Sequence, residues 1–408
     1  MKHILFLLLL LGNLPLAMAQ PFAVGRLSLN VYDGNRTGGS TINGASNWGS
    51  SGRAIGTEIY YPATSAGNNT QAANGQFPVV VLGHGFVMTY DSYNTLYEEL
   101  AKQGFIVALP TTEGGFSPSH IDFASDMAYL AEQLPLLNNN NVVPILQNRV
   151  MAKAAIGGHS MGAGCSMVGA QNNSVIYALF NMATATTNNN GLTSLGGAGT
   201  IVAPTLILSG ERDCVADTTV QVQHYNACGA SLKYIAILND LTHCDFGNGS
   251  SVTCTFGQTS TGCANTIPNT QANAAVMYYL LPFLQRTLKN DCVAADTFMQ
   301  RIMMPNSIAL RTMHQGNLAC FPNGVNNIKS EDIHVYPNPT QEAWTIQLNK
   351  ASSSLKLNVY DIVGRCCWEE TTTSTRIVIP CSEWLNGNYT LRIQNGENIE
   401  QVRLLKNN

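Results

Sequence analysis

Residues 154–165 read AAIGGHSMGAGC, small apolar residues running into glycines that surround one serine, Ser160. The core of the stretch, Gly158-His159-Ser160-Met161-Gly162, is a G-x-S-x-G pattern. Such a pattern sets a serine on a sharp, strained turn between a strand and a helix, with small flanking residues that let backbones approach closely. A glycine-rich turn whose serine only caps a helix would look the same locally, so the surroundings have to decide. They supply a strand before the turn, Ala154 to Ile156, and a helical stretch after it, Ser160 to Gln171.

Working outward, buried strands alternate with helices. Phe77 to Gly83 is a continuous apolar run ending in glycine, and Gly104 to Pro110 is another. Val175 to Phe180, Pro204 to Ser209 and Lys233 to Leu238 continue the series. Helical spacing occupies Ser92 to Gln103, Asp122 to Leu137, Thr219 to Tyr225 and Thr270 to Lys289. Near-continuous apolar strands separated by helices predict an α/β, doubly wound, mostly parallel sheet covered on both faces. Leu27 to Tyr32 and Gly56 to Tyr61 alternate apolar and polar residues and predict antiparallel strands that begin the same sheet. The Gly-, Asn- and Ser-rich stretch between them, Asp33 to Ser51, reads as a loop.

The rest of the chain sets the compartment and the domains. Met1-Lys2-His3, the apolar run Ile4 to Leu11 and Ala17-Met18-Ala19 predict a signal peptide over residues 1–19, so the mature chain is expected to be exported and soluble. A catalytic domain is expected over 20–290 and a transition segment or linker over 291–331. Residues 332–408, with short strands and turns such as Asn386-Gly387, predict a small all-β sandwich. Of 408 residues only 11% are charged and the net charge is -4, which leaves no electrostatic footprint for nucleic acid. The 11 cysteines contain no C-x-x-C pair, so they read as disulfides of an exported protein and not as a zinc site. Their number is odd, and Cys165, in an apolar helical stretch, is the candidate free thiol. No metal or organic cofactor is implied, and the chain reads as a monomer.

A serine hydroxyl needs a base, and the base needs an orienting carboxylate. In doubly wound sheets of this kind they follow in the order Ser, Asp or Glu, His. After the strand Pro204 to Ser209 comes Gly210-Glu211-Arg212-Asp213, which puts Asp213 just past a strand's carboxyl end, with Glu211 and Asp217 as competitors. After Lys233 to Leu238 comes His243. Of the other later histidines, His224 falls on a helical stretch as a solvated residue, His314 in the transition segment and His334 in the tail. Ser160, Asp213 and His243 are therefore the expected catalytic residues. The expected donors to a developing oxyanion are the backbone N–H of Met161, next to the serine, and that of Phe86, in the turn Gly83-His84-Gly85-Phe86. His84 and His159 read as packing residues behind the site.

These pieces resemble known families. Residues 21 to about 290 resemble the cutinase-like polyester hydrolases of the α/β-hydrolase superfamily, a group that includes enzymes acting on polyethylene terephthalate. The resemblance is carried by Ile59-Tyr60-Tyr61-Pro62, the turn at Gly83 to Phe86, Gly158 to Gly162, Pro204-Thr205-Leu206-Ile207 leading to Asp213, and His243. It implies a secreted serine hydrolase of carboxylic esters that works through an acyl-enzyme released by water. Two positions depart from the pattern. Phe86 stands where many members carry tyrosine, and Asn181 to Thr187 holds no aromatic residue where members usually offer a tryptophan. Ester hydrolysis therefore carries over further than the binding of aromatic polyesters does. The runner-up is a lipase-like or chlorophyllase-like esterase on small or lipid esters; a reading of another class is a non-catalytic secreted binding protein on the same fold.

Residues 332–408 resemble the C-terminal sorting domain of the type IX secretion system of Bacteroidetes. Tyr336-Pro337-Asn338-Pro339, Val359 to Arg365, Leu385 to Tyr389 and Arg403-Leu404-Leu405-Lys406 carry that likeness. It implies type IX secretion machinery as a partner and passage through the periplasm and outer membrane to the cell surface or medium. An insertion, Phe246 to Asn269, follows His243 and is expected to form a cysteine-braced rim or lid. Cys214 adjoins Asp213 and Cys244 adjoins His243, so a disulfide is expected to tie one of these loops.

Overall fold

The structure is a computed structural model and describes residues 21–407, apart from 190–191, 249–250, 265–266, 305, 321–332, 349–354, 362–364 and 396–397. The expected signal peptide, residues 1–19, lies outside the described residues. The chain forms two compact units, residues 1–319 and 320–408.

The first unit is built on one large mixed sheet. Its main strands are β1 (Ala23–Asp33), β2 (Arg53–Ala63), β3 (Phe77–Gly83), β4 (Ile106–Pro110) and β5 (Val150–His159). They continue with β6 (Ala178–Met182), β7 (Thr205–Gly210), β8 (Lys233–Leu238) and β9 (Ala309–Gln315). The spatial order is β9-β8-β7-β6-β5-β3-β4-β2-β1, with short pieces added at the β1–β2 edge. The run from β8 to β4 is parallel, while β9, β2 and β1 each pair antiparallel with their neighbour. The β1–β2 pair is in register over its full length, with Leu29 opposite Thr57.

The helices are α1 (Asn94–Lys102), α2 (His120–Gln133), α3 (Met161–Gly169), α4 (Thr218–Ala227), α5 (Val252–Ser260), α6 (Asn269–Lys289) and α7 (Cys292–Met303). Successive strand residues point to opposite faces, and β3 shows the consequence. Val80 and Leu82 pack with α1 and α6, while Val79 and Val81 pack with α2 and α3. Every residue of β3 is buried. That is why the strand reads as an unbroken apolar run and not as an alternation. The direction of winding changes at β3: the chain goes outward to β4, then crosses back to β5 on the other side. Ligand crevices of open α/β sheets lie outside the strands' carboxyl ends at such a switch point, here above β3 and β5.

Several expectations need correction. The strand expected at Val175 to Phe180 is Ala178–Met182, because residues 173–177 form the turn into the sheet. The segment expected as a linker is structured over much of its described length. α7 buries Ala294, Ala295, Phe298, Met299 and Ile302 on one face, and β9 extends the sheet beside β8. β9 is an exposed edge strand without apolar alternation, which hid it from a periodicity reading. His224 is not solvated: it is fully buried in α4, with Nε2 at 2.9 Å from Ser194 Oγ and Nδ1 at 2.9 Å from the Val220 carbonyl.

The second unit holds two small antiparallel sheets. One has the order β10 (Ile333–Tyr336), β11 (Ala343–Leu348), β14 (Arg376–Pro380). The other has β13 (Cys366–Thr372), β12 (Leu355–Tyr360), β15 (Gly387–Asn395), β16 (Asn398–Lys406). Trp344, Ile346, Leu357, Val359, Ile379, Leu391 and Leu404 form their shared core. β13 and β16 are the edges of the second sheet. β13 carries Glu369 and Glu370 and is mostly exposed apart from Trp368, which packs against the core, and Thr372, the kind of polar edge that resists pairing with other chains.

Candidate active site

Ser160 stands between β5 and α3 with φ 55° and ψ -117°, a conformation that ordinary side chains avoid. The glycines explain how the turn fits. A Cβ on Gly158 would collide with the backbone of Gly83 and Gly162, and one on Gly162 with Gly83 and His84. The residues around the serine are small because β3 and α3 pass against each other there. The turn is pinned by its backbone: Ser160 N–H donates to the Met182 carbonyl at 3.0 Å, and the Ser160 carbonyl accepts from Ala185 N–H at 3.1 Å.

The structure brings Ser160, His243 and Asp213 together. His243 Nε2 lies 2.9 Å from Ser160 Oγ, and His243 Nδ1 lies 2.8 Å from Asp213 Oδ2. A carboxylate only accepts, so Nδ1 carries the proton and Nε2 is free to accept from the serine hydroxyl. All three residues are buried or nearly so. The other Asp213 oxygen accepts the backbone N–H groups of Val215 and Ala216, both at 2.8 Å, which fixes the carboxylate's plane. The competing carboxylates have other work. Glu211 accepts the Asp240 N–H, and Asp217 caps α4. His243 opens a short 3-10 turn, His243–Phe246, held by a capping box between Thr242 and Asp245.

The residues behind the site form a chain that sequence reading did not resolve. Gly85 N–H donates to the Tyr93 hydroxyl at 2.9 Å, Tyr93 Oη lies 2.9 Å from His159 Nδ1, and His159 Nε2 lies 2.9 Å from the His243 carbonyl. A carbonyl cannot donate, so Nε2 holds the His159 proton and the Tyr93 O–H donates to Nδ1. The chain links the turn after β3, the serine elbow and the loop of His243. His159 is fully buried, and burial, with the neighbouring His243, drives its pKa well below the usual histidine value. It is therefore held neutral. His84 is buried against Phe123 and faces the carbonyls of Gly85 and Thr112, which makes it a buttress of the same turn. Met161 is the first residue of α3, and Phe86, half exposed, sits in the turn that follows β3.

The cysteines near the site are both bonded into the insertion that follows His243. Cys214 pairs with Cys263, and Cys244 pairs with Cys254. Cys292 and Cys320 are also disulfide-bonded. Cys165 is a free thiol buried in α3, and its burial pushes the pKa up to about 12, so it is not a reactive group.

A family model described as PET hydrolase-like matches residues 24–259, more than half of the chain. The chain belongs to the PET hydrolase-like family. A second model, the secretion system C-terminal sorting domain, matches residues 334–407. A search of the curated proteins finds no match. This PET hydrolase-like chain is thus a hydrolase of the ester-cleaving kind with a type IX sorting tail, and it is directed to the cell surface or the extracellular space. The two matches fall on the two units of the structure, one on each.

Proposed function

We propose that the protein is a serine hydrolase of carboxylic esters, cutinase-like in its chemistry, with Ser160 as nucleophile, His243 as general base and acid, and Asp213 as the group that orients His243. The observation that carries this reading is the continuous line of hydrogen bonds from Asp213 through His243 to Ser160, 2.8 and 2.9 Å long, ending on a serine in strained backbone geometry. In the proposed reaction Ser160 Oγ bonds to the ester carbonyl carbon while its proton passes to His243 Nε2. The carbonyl electrons move onto oxygen, where the N–H groups of Met161 and Phe86 stabilise the charge. Collapse breaks the bond to the alcohol, which leaves with the proton from His243. Water then attacks the acyl-enzyme by the same route and releases the acid.

The proposed substrates are polyesters and acyl esters. Polyethylene terephthalate is within the family's range, but no aromatic residue stands in Asn181 to Thr187 to stack on a terephthalate ring. That gap favours a second reading within the same chemistry, a lipase-like or chlorophyllase-like esterase on flexible aliphatic esters. The first test is covalent. A 4-nitrophenyl alkylphosphonate should release one nitrophenolate per chain and leave its phosphonyl group on the peptide that contains Ser160. A folded protein that takes up no label is a binding protein on a hydrolase fold. Release of acids from polyethylene terephthalate and polycaprolactone films then separates the two substrate readings.

The chain behind the site gives a further expectation. Tyr93→Phe removes the acceptor for Gly85 N–H and the donor to His159 together, and it loosens the turn that bears Phe86 and the loop that bears His243. The kcat on a soluble ester should fall about tenfold, equivalent to ~1.4 kcal/mol, with KM close to wild type. A purely structural role would lower the melting temperature and leave kcat per folded molecule unchanged.

A further inference from the structure

The turn that carries Phe86 holds a backbone conformation its sequence resists. Residues Gly85 to Met88 follow β3 and close on themselves, with Met88 N–H donating to the Gly85 carbonyl at 3.1 Å. Val87, the third residue of this turn, has φ 52°. Turns with a positive φ at the third position favour glycine or asparagine there. A side chain branched at Cβ fits worst, because the left-handed region crowds it against its own backbone. Val87 is the one β-branched residue with positive φ among the described residues. The others outside glycine include Asn69, Asn148, Asn172 and Asn290, and the proposed nucleophile Ser160. Packing does not account for the choice: among the described residues, the Val87 side chain joins neither large hydrophobic cluster of the first unit. Backbone strain of this kind persists only where the surroundings hold it, and it collects at functional sites.

Two hydroxyls hold this turn, one at each end. Tyr93 Oη accepts the Gly85 N–H at 2.9 Å. At the other end Thr253 Oγ1 donates to the Val87 carbonyl at 2.8 Å, from 166 residues further along the chain. The direction of that bond is fixed. A carbonyl only accepts, so the single Thr253 proton goes to Val87, and Ser251 Oγ, 3.0 Å away, donates to Thr253. Ser251 in turn accepts the Cys254 N–H at 3.2 Å as the N-cap of α5. Cys254 is bonded to Cys244, the residue next to His243, and Gln258 Oε1 accepts the Cys244 N–H at 2.8 Å. The start of α5 is thus anchored beside the proposed base and reaches across to the turn of the proposed oxyanion donor.

We propose that Thr253 is a positioning residue for the ester hydrolysis: its hydroxyl holds Val87 in the left-handed conformation and so keeps the turn set for the Phe86 N–H to stabilise the oxyanion. The proposal rests on the serine-esterase reading and adds to it a residue outside the expected site. Thr253 acts through Val87 and takes no part in bond making. When Val87 relaxes to a negative φ, the peptide between Phe86 and Val87 turns over, and Phe86 has to adjust its own dihedrals. An oxyanion donor is worth most when it is in place before the charge develops. A relaxed turn therefore costs kcat more than KM.

The test is a double-mutant cycle on the full chain, read with 4-nitrophenyl butyrate. Thr253→Val keeps the shape of the side chain and removes its hydroxyl. It should lower kcat about fivefold, equivalent to ~1 kcal/mol, with KM close to wild type. Thr253→Ser retains the donor and should keep kcat within about twofold of wild type. Val87→Gly takes the left-handed conformation without strain. In that background Thr253→Val should change kcat by less than about twofold. An equal loss in both backgrounds, no loss from Thr253→Val, or a loss in Thr253→Ser as large as in Thr253→Val overturns the proposal. A bond that only stabilises the fold would lower the melting temperature and leave kcat per folded molecule as it is, which also overturns it. If the wild type cleaves no ester, the serine reading has failed separately, and hydrogen exchange decides the brace. The Met88 N–H closes the turn. Mass spectrometry of the peptide that contains it should show exchange about fivefold faster in Thr253→Val, and no such change once Val87→Gly is also present. Equal exchange in wild type and Thr253→Val, or the same acceleration in both backgrounds, overturns the brace.

Discussion

Ser160→Ala should remove nearly all ester hydrolysis, with kcat falling by roughly 10⁴ to 10⁶ while substrate binding persists. The size follows from the role proposed for each group. Without Oγ the proposed acyl-enzyme cannot form, and the remaining rate comes only from an ester held near the proposed oxyanion donors in the presence of water. Asp213→Asn should cost roughly 10⁴, for a different reason. An amide NH₂ at this position donates, so it selects the His243 form with its proton on Nε2, the atom that must accept from Ser160 at 2.9 Å. The two losses should not add. In a Ser160→Ala background, Asp213→Asn should have little further effect, because the orienting carboxylate matters only while there is a serine proton to move. Steady-state kinetics on a soluble nitrophenyl ester, with folding checked by circular dichroism, measures all three variants. Wild-type rates in Ser160→Ala would mean that another group carries the reaction.

How much of this was legible in the sequence depends on the range over which each feature is encoded. The elbow could be read locally, because the glycines at 158 and 162 are demanded by steric contact within one strand-turn-helix unit. Asp213 and His243 lie far from Ser160 along the chain. They could be proposed because each falls just past the carboxyl end of an apolar strand, and the parallel sheet places those ends along one edge. The link from Tyr93 to His159 spans 66 residues and joins a 3-10 turn to the elbow, with no pattern in either segment to announce it. The disulfides beside the site, Cys214–Cys263 and Cys244–Cys254, were half legible. Cys214 and Cys244 stood beside the expected catalytic residues, but pairing them with each other or with the insertion was equally open in a chain of 11 cysteines. β9 escaped for the opposite reason to β3. Its side chains are largely exposed, so burial left no periodic trace in its sequence.

Arg53→Met should be among the most destabilising single changes in the first unit, although Arg53 is remote from Ser160 in sequence. Arg53 begins β2 and is buried, and Asp126 in α2 is fully buried. The guanidinium meets that carboxylate with two bonds, Nε to Oδ1 at 2.7 Å and Nη2 to Oδ2 at 2.8 Å, and it also reaches Glu113 at 2.8 Å. Thr112 Oγ1 donates to the same Asp126 carboxylate at 2.7 Å, and Arg36 lies 2.8 Å from it. Methionine fills much of the arginine's volume but leaves the charge on Asp126 short of its main partner. Removing one side of a buried pair typically costs 3–5 kcal/mol, and Arg36 and Thr112 should hold the loss to about 3 kcal/mol. The double change Arg53→Met with Asp126→Leu should be less destabilising than Arg53→Met alone, since no unpaired charge is then left in the core. Urea unfolding midpoints of the residue 20–319 unit within the full chain would show both effects. A loss below about 1 kcal/mol for Arg53→Met would mean that water reaches Asp126 and that the network is a surface feature. A loss of the expected size would have a bearing on the site. Thr112 joins Asp126 to His84 through its carbonyl, and His84 buttresses the turn of Phe86, so the same ion pair that holds β2 against α2 also fixes the floor on which the proposed oxyanion donor rests.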